Sequence, residues 1–180
     1  MLITILAMGS RGDVQPYVAL GVALQKAGAR VRIATLETFR QFVTGYGLEC
    51  YPIEGDLAGV MNSPVADNAR KADNPLKLAL SFNELKQYGL ALQAGLWAAC
   101  QDADLLIYHP GMALGYFAAQ ERDIPSVLGL PFPMTPTRAY PSLIFYEGPR
   151  LGGASHLLTH KILQQIFWMT ASANLRDCWK

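Results

Sequence analysis

The chain has 180 residues, enough for one well-packed domain and too few for two full α/β domains. Lys and Arg (15) nearly balance Asp and Glu (14), so the net charge of +1 gives no reason to expect a nucleic-acid partner. Only 16% of the residues are charged and 51% are hydrophobic. This composition predicts a chain that buries much of its surface, or that exposes an apolar face to a lipid, a membrane or a further domain.

The N-terminal apolar run has no basic residues before it and stops at Gly9, which is typical of a buried strand and not of a signal peptide. No segment reaches the roughly 18 consecutive apolar residues that a transmembrane helix needs. The three cysteines lack metal-ligand spacing and are expected to be reduced, so the predicted location is cytoplasmic. His156 and His160 lie one helical turn apart without a third ligand nearby. They are predicted to occupy the polar face of a helix, and no metal site is expected.

The first half of the chain alternates strand and helix patterns. The apolar segment Leu2–Ala7 predicts a strand that is covered on both faces. Val14–Ala27 has helical periodicity, with Asp13 at the N-cap, Pro16 in the first turn and Gly28 closing the helix. Three further elements are predicted: a strand over Val31–Thr35, a short helix over Thr38–Gly45 and a strand over Leu48–Tyr51 that gives way at Pro52.

The second half begins with a loop-rich insertion at residues 54–75, after which helical patterning resumes over Pro75–Ala103. Prolines are so dense in Pro131–Pro141 that neither strand nor helix is expected there, which predicts a stiff loop. The remaining predicted elements are strands at Asp104–Tyr108 and Ser126–Leu130 and helices at Met112–Arg122 and Ser155–Trp179. The repeated βα units imply parallel strands. The predicted fold class is therefore α/β, a Rossmann-like open parallel sheet with helices on both faces.

The turn Gly9–Asp13 joins the first strand to the first helix, at the edge where open α/β sheets bind ligands. Three interpretations are open. A structural turn with Asp13 as a plain N-cap would stabilise the helix by about 1 kcal/mol. A dinucleotide site would use Glu37 on the ribose, but the GxGxxG register is missing, and a Walker loop is excluded because no Gly-Lys-Ser/Thr follows. In the third, Asp13 is a general base that the helix dipole keeps ionised, while burial against an apolar ligand favours proton uptake.

The segment Gly9–Pro16, which reads GSRGDVQP, resembles the N-terminal domain of glycosyltransferase family 28. The same resemblance extends to Ala19-Leu20-Gly21, Leu24, Ala27-Gly28, Ala34-Thr35, Tyr108-His109-Pro110, Asp123-Ile124-Pro125 and Leu130–Thr137. The pattern is most similar to that of sterol and lipid glucosyltransferases and of enzymes that glycosylate glycopeptide antibiotics. It covers essentially the whole chain without specifying a substrate. Two positions depart from it: Ala29, where many relatives have histidine, and Gly111, where some have lysine.

The resemblance implies the N-terminal half of a GT-B fold, in which two Rossmann-like halves face each other across a cleft. Residues 1–180 would form a single acceptor-binding domain. The C-terminal domain that binds the co-substrate, a UDP-sugar, would lie outside this chain, so the chain alone would be inactive and no cofactor is expected. In this family one in-line displacement inverts the anomeric centre. Asp13 matches the position of the base that deprotonates the acceptor hydroxyl.

The predicted acceptor site combines this turn with the sheet edge and the proline-rich loop. Its predicted members besides Asp13 are Ser10, Arg11, Gly12, His109, Phe132, Met134, Thr135 and Tyr140. Alternatives remain for some of them: His109 as a hydrogen-bonded loop residue, Arg11 as a phosphate ligand, a partner of Asp13 or an exposed turn residue, and the aromatic side chains as loop packing. The predicted partner is a lipophilic alcohol such as a sterol, a lipid or a polyketide-like aglycone, and peripheral membrane association is compatible with it. The alternative functions are a non-catalytic binding module for an apolar ligand and, third, a dinucleotide-binding oxidoreductase domain.

Overall fold

The computed structural model describes residues 1–55, 92–146, 148 and 151–178, with side chains described as far as residue 169. The chain divides into two compact units. The first unit comprises Met1–Leu57 and Gly89–Pro131, and the second comprises Ala58–Tyr88 and Phe132–Lys180. Nearly all of the predicted insertion at 54–75, and the first part of the predicted helix Pro75–Ala103, lie outside the described residues.

Within the described residues, the first unit contains a five-stranded parallel sheet in the order β3-β2-β1-β4-β5. The strands are β1 (Leu2–Leu6), β2 (Arg30–Leu36), β3 (Glu49–Ile53), β4 (Leu105–Tyr108) and β5 (Ser126–Leu128). The chain first builds outward from β1 to β3 and then adds β4 and β5 on the other side of β1. The direction therefore reverses between β1 and β4, and in open α/β sheets the ligand crevice forms at such a switch point.

Helices and short helical turns follow most of the strands. In the first unit they are α1 (Arg11–Lys26), a 3-10 turn (Glu37–Phe39), α2 (Arg40–Thr44), α3, which includes residues 92–100, and α4 (Leu114–Glu121). In the second unit they are a 3-10 turn (Leu143–Phe145) and α5 (Gly153–Cys178). Each predicted strand and helix that falls within the described residues is present, with its ends shifted by a few residues.

Helices pack on both faces of the sheet. On one face, Ile5 of β1 and Val14 of α1 belong to the same buried apolar cluster. On the opposite face, Leu6 lies against Gly115 of α4, where an added Cβ would be 3.0 Å from Leu6 Cδ1 and 2.7 Å from Tyr108 Cβ. Each fully buried aliphatic side chain in such a core contributes about 1.5–3 kcal/mol. The Rossmann-like prediction, with helices on both faces, is confirmed.

The first helix begins earlier than predicted. Its N-cap is Ser10, which has extended backbone angles, and α1 starts at Arg11. Asp13 is therefore the third helical residue, and the prediction of Asp13 as the N-cap is wrong. Because the helix begins earlier, Pro16 lies in its second turn, where it has no N–H to donate to the Gly12 carbonyl.

The other end of α1 closes as the sequence predicts. Gly28 has a φ of +91° and its N–H donates to the Gln25 carbonyl at 3.0 Å. The next residue, Ala29, donates its N–H to the Leu24 carbonyl at 3.1 Å. These two bonds form a Schellman motif, in which a glycine supplies the left-handed backbone that ends the helix.

Strand β3 continues through Pro52 to Ile53, although the sequence predicts that it ends before the proline. Pro52 lies opposite Thr35 of β2, and β3 is at the edge of the sheet. A proline at an edge strand is tolerated because the missing N–H would face away from the ladder. The position of β3 in the sheet thus explains the difference.

The buried arginine Arg32 links the sheet to the end of α3. Its side chain is only 8% exposed, and its guanidinium donates to both carboxylate oxygens of Asp102 at 2.6 and 2.8 Å. It also donates to Glu49 Oε1 at 2.7 Å. The hydrogen bonds from Arg32 lower the pKa of Asp102. A buried guanidinium with this many acceptors is compensated for the water that it has lost.

We expect Asp102→Asn to destabilise the chain by about 1 kcal/mol near neutral pH, because it weakens the bidentate pair of a buried guanidinium. The expected loss is small because the Asp102 side chain is 58% exposed and solvent screens the interaction. Since folding lowers the pKa of Asp102, its contribution is present above the ordinary carboxyl range and is lost as the pH falls through the lowered pKa. Urea unfolding at pH 7 and at about pH 3 should therefore show a difference that shrinks in acid.

The matched control is Asp123→Asn, the same chemical change at an exposed position. Asp123 has a φ of +52°, a conformation that asparagine tolerates well, so this variant should unfold like the wild type. An Asp102→Asn difference that is as large at pH 3 as at pH 7 would contradict the ionic origin of the effect.

Candidate active site

The chain that leaves β1 and the residue that follows β4 meet at the carboxyl edge of the sheet. The two strands are parallel neighbours with Leu6 opposite Tyr108, and His109 extends the ladder by donating its N–H to the Leu6 carbonyl at 2.9 Å. Asp13 Oδ1 lies 3.6 Å from His109 Nε2. The structure therefore brings together the predicted base and one predicted acceptor-site residue at the switch point.

The Asp13 carboxylate is anchored by Ser10. Its Oδ2 atom accepts a hydrogen bond from the Ser10 N–H at 2.7 Å and another from the Ser10 hydroxyl at 2.8 Å. The other oxygen, Oδ1, faces His109, and the Asp13 side chain is 31% exposed. A partly exposed carboxylate that is held through one oxygen has the fixed orientation that a general base needs.

Gly9 gives the Asp13 carboxylate its space. Its φ is +136°, which L side chains rarely adopt, and a Cβ at this position would lie 2.8 Å from Asp13 Cγ. Gly12 differs, because a Cβ there would meet only Ser10 Oγ at 3.5 Å, an ordinary van der Waals distance. Two glycines in the same turn therefore have different roles.

His109 is oriented by the loop that follows it. Its Nδ1 accepts a hydrogen bond from the Gly111 N–H at 3.0 Å, so in the neutral ring the proton is on Nε2, the nitrogen that faces Asp13. Burial lowers the pKa of His109, and the negative charge of Asp13 opposes this shift in part. The ring is therefore neutral near physiological pH and directs an N–H toward the carboxylate.

Tyr17 is a further part of the site, recognisable in the sequence only as an apolar position of the helix. It lies one turn after Asp13, and its ring meets the His109 ring edge to face at 6.0 Å. Its hydroxyl donates to the Gly129 carbonyl, just after β5, at 2.7 Å. Burial and the nearby Asp13 raise the pKa of Tyr17 to about 12, which keeps the hydroxyl a donor. The partner carbonyl comes from a distant strand, so the sequence carries no signal for this bond.

Arg11 and Glu37 have partners that favour structural roles. The Arg11 guanidinium lies 4.8 Å from the centre of the Phe42 ring, and its Nε donates to Gln15 Oε1 at 3.3 Å. Glu37, the alternative ribose ligand, accepts two hydrogen bonds from Arg40 at 2.7 and 2.9 Å. Its carboxylate is thus occupied by a neighbour in the same turn.

The other four predicted acceptor-site residues belong to the second unit. Phe132 and Met134 are half-buried, whereas Thr135 and Tyr140 are exposed. The Tyr140 ring meets the ring of His160 in α5 edge to face, at 5.8 Å. The structure therefore divides the predicted site residues between the two units, four with Asp13 and four in the proline-rich segment.

The prediction that His156 and His160 lie on a polar helix face is wrong. The two residues are 9% and 1% exposed. Each ring hydrogen-bonds to a backbone carbonyl of the proline-rich segment, which covers this face of α5.

No group of three or more His, Cys, Asp or Glu side chains among the described residues is arranged to hold a metal ion. None of the helices in the described parts of the chain combines the length and apolar character of a membrane span.

Replacing Gly9 with alanine should displace the Asp13 carboxylate, because the new Cβ collides with it and the backbone favours glycine. We expect Gly9→Ala to lower the free energy of unfolding by about 1–3 kcal/mol. Gly12→Ala, in the same turn, should be neutral or stabilise by up to about 1 kcal/mol, since alanine favours a helix. Urea unfolding of the two variants measures the difference, and equal effects would contradict the role of Gly9.

The contact between Asp13 and His109 can be tested by titration. Asp13→Asn removes the charge that opposes the lowering of the His109 pKa, so this pKa should fall further. NMR titration of the His109 ring proton in both chains measures the shift, with Asp123→Asn as the control. An unchanged or higher pKa in Asp13→Asn would rule out the contact.

The lowered pKa of His109 also affects stability. Because the unfolded chain takes up this proton at higher pH than the folded chain, His109 lowers the free energy of unfolding as the pH falls below about 6.5.

Comparison with known proteins gives a consistent result. Residues 3–141 match the glycosyltransferase family 28 N-terminal domain. The sterol 3-beta-glucosyltransferase of Yarrowia lipolytica is 37% identical over 175 residues, which cover 97% of this chain and 12% of the relative. The sterol 3-beta-glucosyltransferase of Candida albicans is 36% identical over 178 residues, which cover 99% of this chain and 12% of the relative.

A solved structure has the same fold. The crystal structure of SsfS6, a glycosyltransferase of Streptomyces sp. SF2575, superposes with a TM-score of 0.57 at 25% identity, covering 80% of this chain and 42% of that one. This chain spans about an eighth of the length of the fungal relatives that it matches. With the match over residues 3–141, it belongs to the glycosyltransferase family 28 N-terminal domain family.

Proposed function

We propose that this chain is the acceptor-binding half of an inverting glycosyltransferase that transfers a hexose from a UDP-sugar to a hydroxyl of a lipophilic alcohol. The observation that carries the proposal is the Asp13 carboxylate, anchored by Ser10 at the switch point with Oδ1 directed toward His109. Membership of the family supports glycosyl transfer, and the names of the fungal relatives support a sterol-like acceptor.

Asp13 would act as the general base. An acceptor hydroxyl placed about 2.6–3.2 Å from Oδ1 transfers its proton to that oxygen while its own oxygen bonds to the anomeric carbon. The bond from that carbon to the diphosphate breaks in the same step, and the diphosphate leaves with the electron pair. Attack from the side opposite the leaving group inverts the anomeric centre. The two bonds from Ser10 hold the carboxylate in place, so no reorientation is needed.

The neutral state of His109 supports this role. A protonated ring beside Asp13 would form an ion pair with the carboxylate and reduce its tendency to accept a proton. Because burial lowers the pKa of His109, the ring stays neutral at physiological pH. The Gly111 N–H holds it with Nε2 toward Asp13, and Tyr17 packs against its edge. His109 would thus border the position of the acceptor hydroxyl.

The donor would be bound mainly by a domain outside this chain, and we assign no residue of this chain to it. The chain alone would bind the acceptor and would not catalyse transfer.

Turnover can be measured in a chimera in which this chain replaces the matching segment of the Yarrowia lipolytica relative. UDP-glucose and ergosterol are suitable substrates, and the steryl glucoside is the product to be quantified.

In this chimera, Asp13→Asn should lower kcat by about 10²- to 10⁴-fold, the usual contribution of general-base catalysis, while ergosterol still binds. Asn keeps the shape of the side chain and loses its ability to take the proton. Asp123→Asn, at an exposed position, should leave kcat unchanged. Near-normal turnover in Asp13→Asn would disprove the base assignment.

The wild-type chimera also separates an enzyme domain from a binding module. Circular dichroism confirms that the chimera is folded, and an ergosterol titration of its tryptophan fluorescence measures binding. A folded chimera that binds ergosterol and forms no product, beside an active parent enzyme, would indicate a non-catalytic binding module instead.

A further inference from the structure

In the second unit, two histidine side chains of α5 bind the backbone of the proline-rich segment, and the proposed mechanism does not use either contact. His156 Nδ1 lies 3.0 Å from the Arg138 carbonyl oxygen, and His160 Nε2 lies 3.0 Å from the Tyr140 carbonyl oxygen. A carbonyl oxygen only accepts, so each ring nitrogen must be the donor. Two consecutive turns of α5 therefore hold two carbonyl groups of the proline-rich segment.

A third attachment lies beside these two. The Ser142 N–H donates to Thr159 Oγ1 at 2.8 Å, and the Ser142 hydroxyl donates to the Thr159 carbonyl at 3.0 Å. Thr159 is in turn fixed by a hydrogen bond from its hydroxyl to the His156 carbonyl at 2.7 Å. Backbone groups at alternate positions 138, 140 and 142 are thus bound by one face of the helix. We call His156, Thr159 and His160 the α5 clamp.

The two segments approach each other closely at a glycine. A Cβ on Gly153, the first residue of α5, would lie 3.0 Å from Arg138 Cβ and 3.2 Å from the Arg138 carbonyl oxygen. The helix therefore contacts the segment backbone directly at its first residue, and the side chains of the α5 clamp contact it further along the helix.

Two of the residues that make these bonds are almost completely buried. Ser142 and His160 are each 1% exposed, so water does not replace a lost partner there. A segment with this many prolines has few N–H groups and cannot pair its carbonyls within a sheet or helix. Side chains of the helix instead donate hydrogen bonds to the Arg138 and Tyr140 carbonyls.

The two rings must carry their protons on different nitrogens. His156 donates through Nδ1 and His160 through Nε2. The remaining nitrogens, His156 Nε2 and His160 Nδ1, are buried without a hydrogen-bond partner among the described residues. Neutral rings in opposite tautomers satisfy both bonds without burying an unpaired N–H.

We propose that the α5 clamp consists of positioning residues for acceptor recognition. By holding the backbone at 138, 140 and 142, it sets the conformation of the segment that carries Tyr140 and, just before it, Phe132, Met134 and Thr135. This inference rests on the proposed function, together with the sequence-based prediction that Phe132, Met134, Thr135 and Tyr140 belong to the acceptor site. The clamp residues do not touch the acceptor themselves. They act through the segment backbone and, for His160, also through the edge-to-face contact with the Tyr140 ring.

Matched substitutions distinguish the loss of the hydrogen-bond donor from the loss of the imidazole ring. Gln at position 160 places an amide N–H near Nε2, and Asn at position 156 places one near Nδ1, whereas leucine at either position offers no donor. In the chimera, we expect His160→Leu and His156→Leu to raise the KM for ergosterol about tenfold with kcat within twofold. His160→Gln and His156→Asn should restore most of the affinity. A purely structural role would lower the melting temperature without this split between KM and kcat or the rescue.

Thr159 provides a milder pair for the case that a leucine variant does not fold. Thr159→Ser keeps the hydroxyl, and Thr159→Val keeps the shape and loses it. Thr159→Val should raise the KM for ergosterol and accelerate hydrogen exchange of the Ser142 N–H, while Thr159→Ser should change neither. Unchanged KM values in all the donor-free variants would overturn the positioning role.

The clamp geometry has its own test in the full chain, independent of any activity. Long-range nitrogen–proton NMR correlations distinguish the two neutral tautomers of a histidine. We expect the Nδ1–H form for His156 and the Nε2–H form for His160. The same tautomer at both positions would overturn the clamp, whatever the activity. If the wild-type chimera bound no ergosterol although the tautomers were as expected, the acceptor role proposed for the segment would fall while the clamp geometry stood.

Discussion

The two hydrogen bonds from Ser10 to Asp13 Oδ2 stabilise the start of the first helix and also orient the candidate catalytic carboxylate. They satisfy backbone and side-chain donors at the start of α1, so the helix begins at Arg11 directly after the turn. The same bonds orient the carboxylate and direct Oδ1 toward His109. One side chain therefore stabilises the helix N-terminus with one oxygen and directs the other toward His109, where the proposed proton transfer would take place.

That interaction depends on the position of β1 in the sheet. Because β1 is flanked by β2 and β4, the turn that follows it opens at the switch point, and the residue after β4 is brought beside it. Gly9 admits the carboxylate where any Cβ would displace it. Gly115 on the opposite face lets α4 approach the same two strands. The site geometry is thus determined by close backbone packing around β1 and β4.

The period of the apolar residues was sufficient to predict the strands, the helices and the parallel sheet, because burial on one or both faces leaves a direct mark on the sequence. The start of α1 was not predictable in the same way. Ser10 and Asp13 are both residue types that favour a helix N-terminus, and only the backbone shows which one is the cap. The proximity of Asp13 and His109 depends on the strand order, which arises from pairings between distant segments.

The buried histidines of α5 illustrate the same limit. In the sequence, His156 and His160 are polar residues one turn apart, a spacing that is equally compatible with a solvated face. Their partners are carbonyl groups about twenty residues away, and every residue type has a carbonyl. A residue of any type can therefore be the partner in such a bond, and the sequence does not indicate which residue it is. Tyr17 could not be predicted as a site residue for the same reason, because its hydroxyl donates to a backbone carbonyl, that of Gly129.

The two units support their functional residues by different means, and this has a consequence for how the protein can vary. Asp13 and His109 are held by the ends of neighbouring strands, where any shift would disturb the central sheet. Tyr140 lies on a segment whose backbone is held by side chains of a helix. In such an arrangement, a side chain of the segment is free to change where it makes no contact with the helix, whereas the Ser142 hydroxyl and the Tyr140 ring do contact α5.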